Sequence, residues 1–129
     1  MTPHRGRAGM RVLVVDDDDS VRHVVTRGLL EEGFIVSDAC DAAAAMAHLE
    51  ACDGECDVMV TDLVMPGKSG AQLGLEACER WPHIRVVYMT GYARDELAKH
   101  GVTECPHAVL QKPFAMHVLC NEVRALLAA

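Results

Sequence analysis

Aromatic bulk is nearly missing from this chain of 129 residues, which has Trp81, two tyrosines and two phenylalanines. Any core must therefore be built from Ala, Val, Leu and Met, the main suppliers of the 50% apolar share. Basic charge is scarce as well. Twelve Lys and Arg stand against nineteen Asp and Glu, for a formal charge of −7, and the one basic cluster is Arg5, Arg7 and Arg11. That balance disfavours direct nucleic-acid binding. No apolar run approaches the about 20 residues that a membrane-spanning helix needs. The six cysteines include no Cys-x-x-Cys pair. Cys52 and Cys56 with His100, Cys105 and His107 come nearest to a zinc set, at spacings that structural zinc sites do not favour. With no secretory leader in the sequence, the expectation is a cytoplasmic chain with free thiols. Its length suits one domain with a core that needs no disulfide or metal staples.

Residues 1–10 are small, polar and rich in Gly and Pro, and read as a disordered leader or an expression remnant, with the folded domain spanning 11–129. Val12-Leu13-Val14-Val15 is a β-branched apolar run stopped by four aspartates, the pattern of a buried strand ending at an acidic edge. A helix follows, with Ser20 as its cap and Val21, Val24, Val25, Gly28 and Leu29 on one face, ending at Gly33. The alternation then repeats. Strands are expected at 34–36, 58–61, 84–89 and 108–111. Helices are expected at 42–49, 71–80, 95–100 and 116–127, with Trp81-Pro82 breaking the third. Five strand-helix pairs in strict alternation imply an α/β fold: a five-stranded parallel sheet with helices on both faces. In such sheets the site lies beyond the carboxyl ends of the strands. The residues there are Asp16 and Asp17, then Asp62, Thr90 and Lys112.

Together these form a kit for phosphoryl transfer. Carboxylates hold a hard cation, one carboxylate can attack phosphorus, and a hydroxyl and an ammonium can bind the phosphoryl oxygens. Mg²⁺, or Mn²⁺ in its place, suits an all-oxygen ligand set and offsets the repulsion that crowded carboxylates would exert on phosphate. Each residue alone has a plainer reading: Asp62 a turn residue, Thr90 a strand-end hydroxyl, Lys112 a surface lysine, Asp18 and Asp19 solvated residues opening a helix. Their joint placement at strand ends outweighs those readings. Met59, Met65 and Met89 read as core filler, and His23 and His117 as exposed.

The strings VLVVDDDD-SVR, VTDLVMPGKSG, VVYMTGY and LQKPF, in this order, resemble the receiver domain of response regulators in two-component signalling, over roughly residues 11–128. The resemblance implies a flavodoxin-like (βα)5 fold and a phosphorelay module rather than an enzyme with a separate substrate. By it, Asp62 is the phospho-acceptor, charged by a histidine kinase or phosphotransfer protein, and the modified domain switches a downstream protein partner. Asp17 would bind the metal directly, Asp16 mainly through water, and Val64 through its backbone carbonyl. Thr90 and Lys112 would hold the phosphoryl oxygens, and Lys112-Pro113 would be a cis peptide. MTGY and LQKPF look most like receivers attached to hybrid histidine kinases.

Two departures bear on lifetime and output. Val64 and Tyr92 would flank the path of hydrolytic water without orienting it, so a phospho-state of moderate to long life is expected. Where receivers commonly carry Tyr or Phe three residues before the lysine, this chain has Val109, whose single stiff torsion cannot swing a ring. Gly91 and Tyr92, in the loop from Thr90 to Arg94, would then carry the change instead. Two other readings compete. A haloacid-dehalogenase-type phosphatase would use Asp16 as nucleophile, but would need an acidic metal-binding motif after the lysine and room for a cap, and this chain has no aspartate after Lys112 and no length for a cap. A pseudo-receiver would have lost a site residue, and none is lost.

Overall fold

The computed structural model describes residues 9–91 and 107–128. Its strands are β1 (Arg11–Val15), β2 (Ile35–Ala39), β3 (Val58–Asp62), β4 (Arg85–Thr90) and β5 (His107–Gln111). The helices among the described residues are α1 (Asp19–Glu31), α2 (Ala42–Ala51), α3 (Gly70–Arg80) and α4 (Met116–Ala128). Every neighbouring strand pair is parallel, in the order β2-β1-β3-β4-β5. This is the expected flavodoxin-like sheet. The helix expected at 95–100 lies outside the described residues.

The sheet divides the core in two, and the period-2 geometry of strands shows how. Val12 and Val14 pack with Val25 and Leu29 of α1 and Leu119 and Val123 of α4. Leu13 and Val15, one residue out of step, pack with Ala45 and Leu49 of α2 and Leu73 and Ala77 of α3. A strand buried on both faces has no polar side to show, which is why β1 and β3 read as continuous apolar runs. Among the described residues Tyr88 of β4 is the bulkiest of the fully buried side chains, and it stands in register with Val109 of β5. Met59, Met65 and Met89 are all buried. No helix among the described residues is long and apolar enough to cross a membrane.

Several local expectations need correction. The cap of α1 is Asp18, whose side chain accepts from the Ser20 and Val21 N–H groups at 2.9 and 3.2 Å; Ser20 lies within the first turn. Val24, expected on the buried face, is 61% exposed. Strand β2 runs to Ala39, past the expected end at Val36, because all five of its residues pair with β1. It is an edge strand, so Ser37 and Asp38 can sit in it without burial. Met10, counted with the leader, is buried, and its carbonyl accepts from the Ile35 N–H at 2.9 Å. Helix α3 begins on a capping box between Ser69 and Gln72, a Ser-x-x-Gln signal visible in the sequence but not used there.

At the N-terminal ends of the strands, Trp81 seals the turn after α3. Its ring occupies the space where Gly54 has no Cβ. The Arg80 guanidinium lies 4.5 Å above the ring and pairs with Glu50 at 2.6 Å.

Candidate functional site

The chain reverses direction across the sheet between β1 and β3, so a crevice opens at their carboxyl ends. Asp16 and Asp17 follow β1, and Asp62 closes β3. Asp16 is fully buried. One of its carboxylate oxygens accepts from the Asp18 N–H at 2.9 Å, and the other faces Lys112 Nζ at 3.3 Å. Asp62 is half-buried, its side chain 14% exposed and one oxygen 3.5 Å from the same Nζ. Asp17 is exposed. One oxygen from each of the three aspartates lies within 4.8 Å of the others, and no second His, Cys, Asp or Glu group converges this way among the described residues.

This donor set is anionic and all oxygen, which fits a hard divalent cation such as Mg²⁺. Cys52, Cys56 and His107 join no such cluster, while His100 and Cys105 lie outside the described residues. Burial raises the pKa of Asp62 above the usual carboxylate range. Asp16 and Asp17 push in the same direction, and Lys112 opposes them.

Strand ends bring the rest together. The Lys112 N–H donates to the Thr90 carbonyl at 2.7 Å, tying the end of β5 to the end of β4. Thr90 is buried, and the Lys112–Pro113 peptide is cis. Val64, two residues beyond Asp62, is 46% exposed. Gly91 is exposed, and a Cβ there would meet nothing within 4 Å among the described residues. Tyr92, and with it the loop onward to Arg94, lies outside the described residues. Val109 is half-buried against the cluster that holds Tyr88. An apolar cleft of about 330 Å³ opens beside Lys112, between Val21, Val24 and Val25 of α1 and Pro113, Phe114 and Met116. Val24, exposed though apolar, is one wall of it.

One residue that matters here escaped the sequence reading. Gly70, the first residue of α3, comes so close to the acceptor strand that a Cβ on it would overlap the Asp62 carbonyl oxygen. Its N–H also donates to the Leu63 carbonyl at 2.8 Å. A glycine eight positions after an acceptor aspartate is a weak signal by itself. Only the packing of α3 against that backbone gives it meaning.

The sequence matches the family model of the response regulator receiver domain over residues 12–124. It is 34% identical over 116 residues to the sensor kinase CckA of Brucella abortus, a match covering 90% of this chain and 12% of that protein. It is 29% identical over 119 residues to the response regulator receiver protein CpdR of the same organism, covering 92% of this chain and 98% of that one. Among solved structures, a response regulator receiver protein from Sinorhizobium medicae superposes with a TM-score of 0.84 at 30% identity, over 94% of this chain and 96% of the other. The receiver domain of the hybrid histidine kinase CckA gives 0.77 at 29% identity, over 91% and 98%.

Proposed function

The chain belongs to the response regulator receiver family of two-component signalling, and from that premise we propose that Asp62 accepts a phosphoryl group from a phosphohistidine donor. The observation that carries this is the contrast between two carboxylates. Asp16 is sealed, with both oxygens engaged, whereas Asp62 keeps a partly open face beside Lys112. That contrast also disfavours the phosphatase reading, whose nucleophile would be Asp16.

In the proposed step an Asp62 oxygen attacks phosphorus, a P–O bond forms, and the P–N bond to the donor imidazole breaks with its electron pair leaving on the ring nitrogen. Lys112 Nζ lies within reach of an oxygen bound to Asp62, and the Thr90 hydroxyl is assigned to a second. A divalent cation held by Asp16, Asp17, Asp62 and the Val64 carbonyl would offset negative charge on the transferring group. The donor is a histidine kinase or phosphotransfer protein, and the charged domain acts on a downstream protein in the cytoplasm. The same module serves inside a long sensor kinase or as a nearly free-standing regulator, since the chain spans 12% of one relative and 98% of the other.

Labelling with a small acyl phosphate and Mg²⁺, followed by mass spectrometry of the trapped product, tests the reading. The expected adduct is on Asp62, and an adduct on Asp16 would restore the phosphatase. Asp17→Ala should weaken Mg²⁺ binding by about tenfold or more, read by calorimetric titration, and unchanged affinity would remove Asp17 from the ligand set. Val64→Asn should shorten the phospho-state by offering an amide to orient water where an exposed apolar group now stands. The decay rate of labelled protein reads this directly, and an unaltered rate would discard the screening role of Val64.

A further inference from the structure

We propose that Arg22 is a positioning residue for the acidic pocket, fixing the Asp16–Asp17 peptide and through it the cation affinity. The inference rests on the metal reading above. Arg22 sits on α1, but its side chain turns back to the end of β1 and is only 13% exposed. Three of its nitrogens reach three separate places. Nη1 donates to the Asp16 backbone carbonyl at 2.8 Å, Nη2 to Asp19 at 2.6 Å, and Nε to Asp38 on the edge strand β2 at 3.0 Å.

The other side of Asp16 is already held. Its N–H donates to the Ala39 carbonyl at 3.2 Å, and its carboxylate is engaged by Asp18 and Lys112. The carbonyl is the remaining handle on the peptide plane that carries Asp17 into the pocket, and the guanidinium grips it. A planar fork anchored at Asp19 and Asp38 does this with fixed direction. The ammonium of a lysine is a point charge on a flexible stem and cannot reach three acceptors so disposed.

Electrostatics and positioning predict opposite signs, which makes the role testable. Removing a positive charge beside three carboxylates should tighten cation binding if charge alone matters. Releasing the peptide should loosen it, by about tenfold, as loss of a ligand-orienting partner typically does. The experiment is calorimetric titration of Mg²⁺ into the parent chain, Arg22→Ala, Arg22→Lys and Arg124→Ala, each checked for folding by circular dichroism. Arg124→Ala is the control: it breaks an equally short ion pair, Arg124 to Glu32 at 2.6 Å, on α4 and far from the pocket. Weakened binding in both Arg22 variants with the control unchanged is the expected result. Unchanged or tighter binding in Arg22→Ala, or equal weakening in Arg124→Ala, overturns the proposal. A parent chain that binds no Mg²⁺ would instead remove the metal reading itself and this inference with it.

Discussion

The Asp62→Asn variant is expected to take up no phosphoryl group from an acyl phosphate in Mg²⁺, with labelling at background while the parent is labelled stoichiometrically. The amide has the shape of the carboxylate but no nucleophilic oxygen anion. A second, opposite effect should accompany the loss. Burial and the neighbouring aspartates raise the pKa of Asp62, so the folded state favours the protonated acid. Its contribution to stability is then present in acid and lost as pH rises through that raised value. At neutral pH the charge opposes folding, and the neutral amide should stabilise the metal-free chain. Thermal melts at pH 7 in a chelator read this. Undiminished labelling of the variant would move the acceptor elsewhere.

Gly70→Ala is expected to damage stability and acceptance together. The added methyl overlaps backbone, the Asp62 carbonyl, and backbone cannot swing aside as the end of a side chain can. Either α3 retreats from the sheet or the acceptor strand shifts, at about 2 kcal/mol for such overpacking. A shift of the acceptor strand displaces Asp62 relative to Lys112, and a retreat of α3 removes the support behind its backbone. Labelling should slow by about tenfold, the scale on which small misplacements of reacting groups act. Gly74→Ala, one turn later, separates the two effects. There the methyl would meet the end of the Tyr88 side chain rather than the acceptor backbone, so stability should fall while the labelling rate of the folded protein holds. Equal slowing in both variants would mean that α3 packing in general, not the Gly70 approach, governs the acceptor.

The four consecutive aspartates show what sequence can and cannot resolve. Their position after an apolar strand located the pocket, and the sequence placed Asp16 and Asp17 at the strand end and Asp18 and Asp19 at the opening of the helix, but identical side chains did not say which would be buried or which would cap α1. The fold separates them by geometry. Asp16 is buried, Asp17 stands at the rim, Asp18 caps α1 and Asp19 pairs with Arg22. Strands β1, β3 and β4 were legible to within a residue or so because burial on both faces writes itself as hydrophobicity, and the edge strand β5 was legible through its short apolar run Ala108-Val109-Leu110. Strand β2 was cut short because an edge strand bears Ser37 and Asp38 where a central one would bear Val. Gly70 and Arg22 stayed hidden for a different cause. Each owes its role to an element brought close in space, α3 in one case and β2 in the other, and no periodicity encodes that approach.

Trp81 is the single tryptophan of the sequence, and its place fixes what light can report from this molecule. The indole is packed on Gly54 beneath Arg80, at the end of the strands opposite Asp62. Its emission is therefore expected to report the docking of α3 and of the loop before β3. Cation binding at the far end is expected to leave its surroundings unaltered. Intrinsic fluorescence is thus a clean unfolding signal for this chain and a poor one for metal, and an optical reporter of the pocket has to be introduced near Val64 rather than borrowed from the native ring.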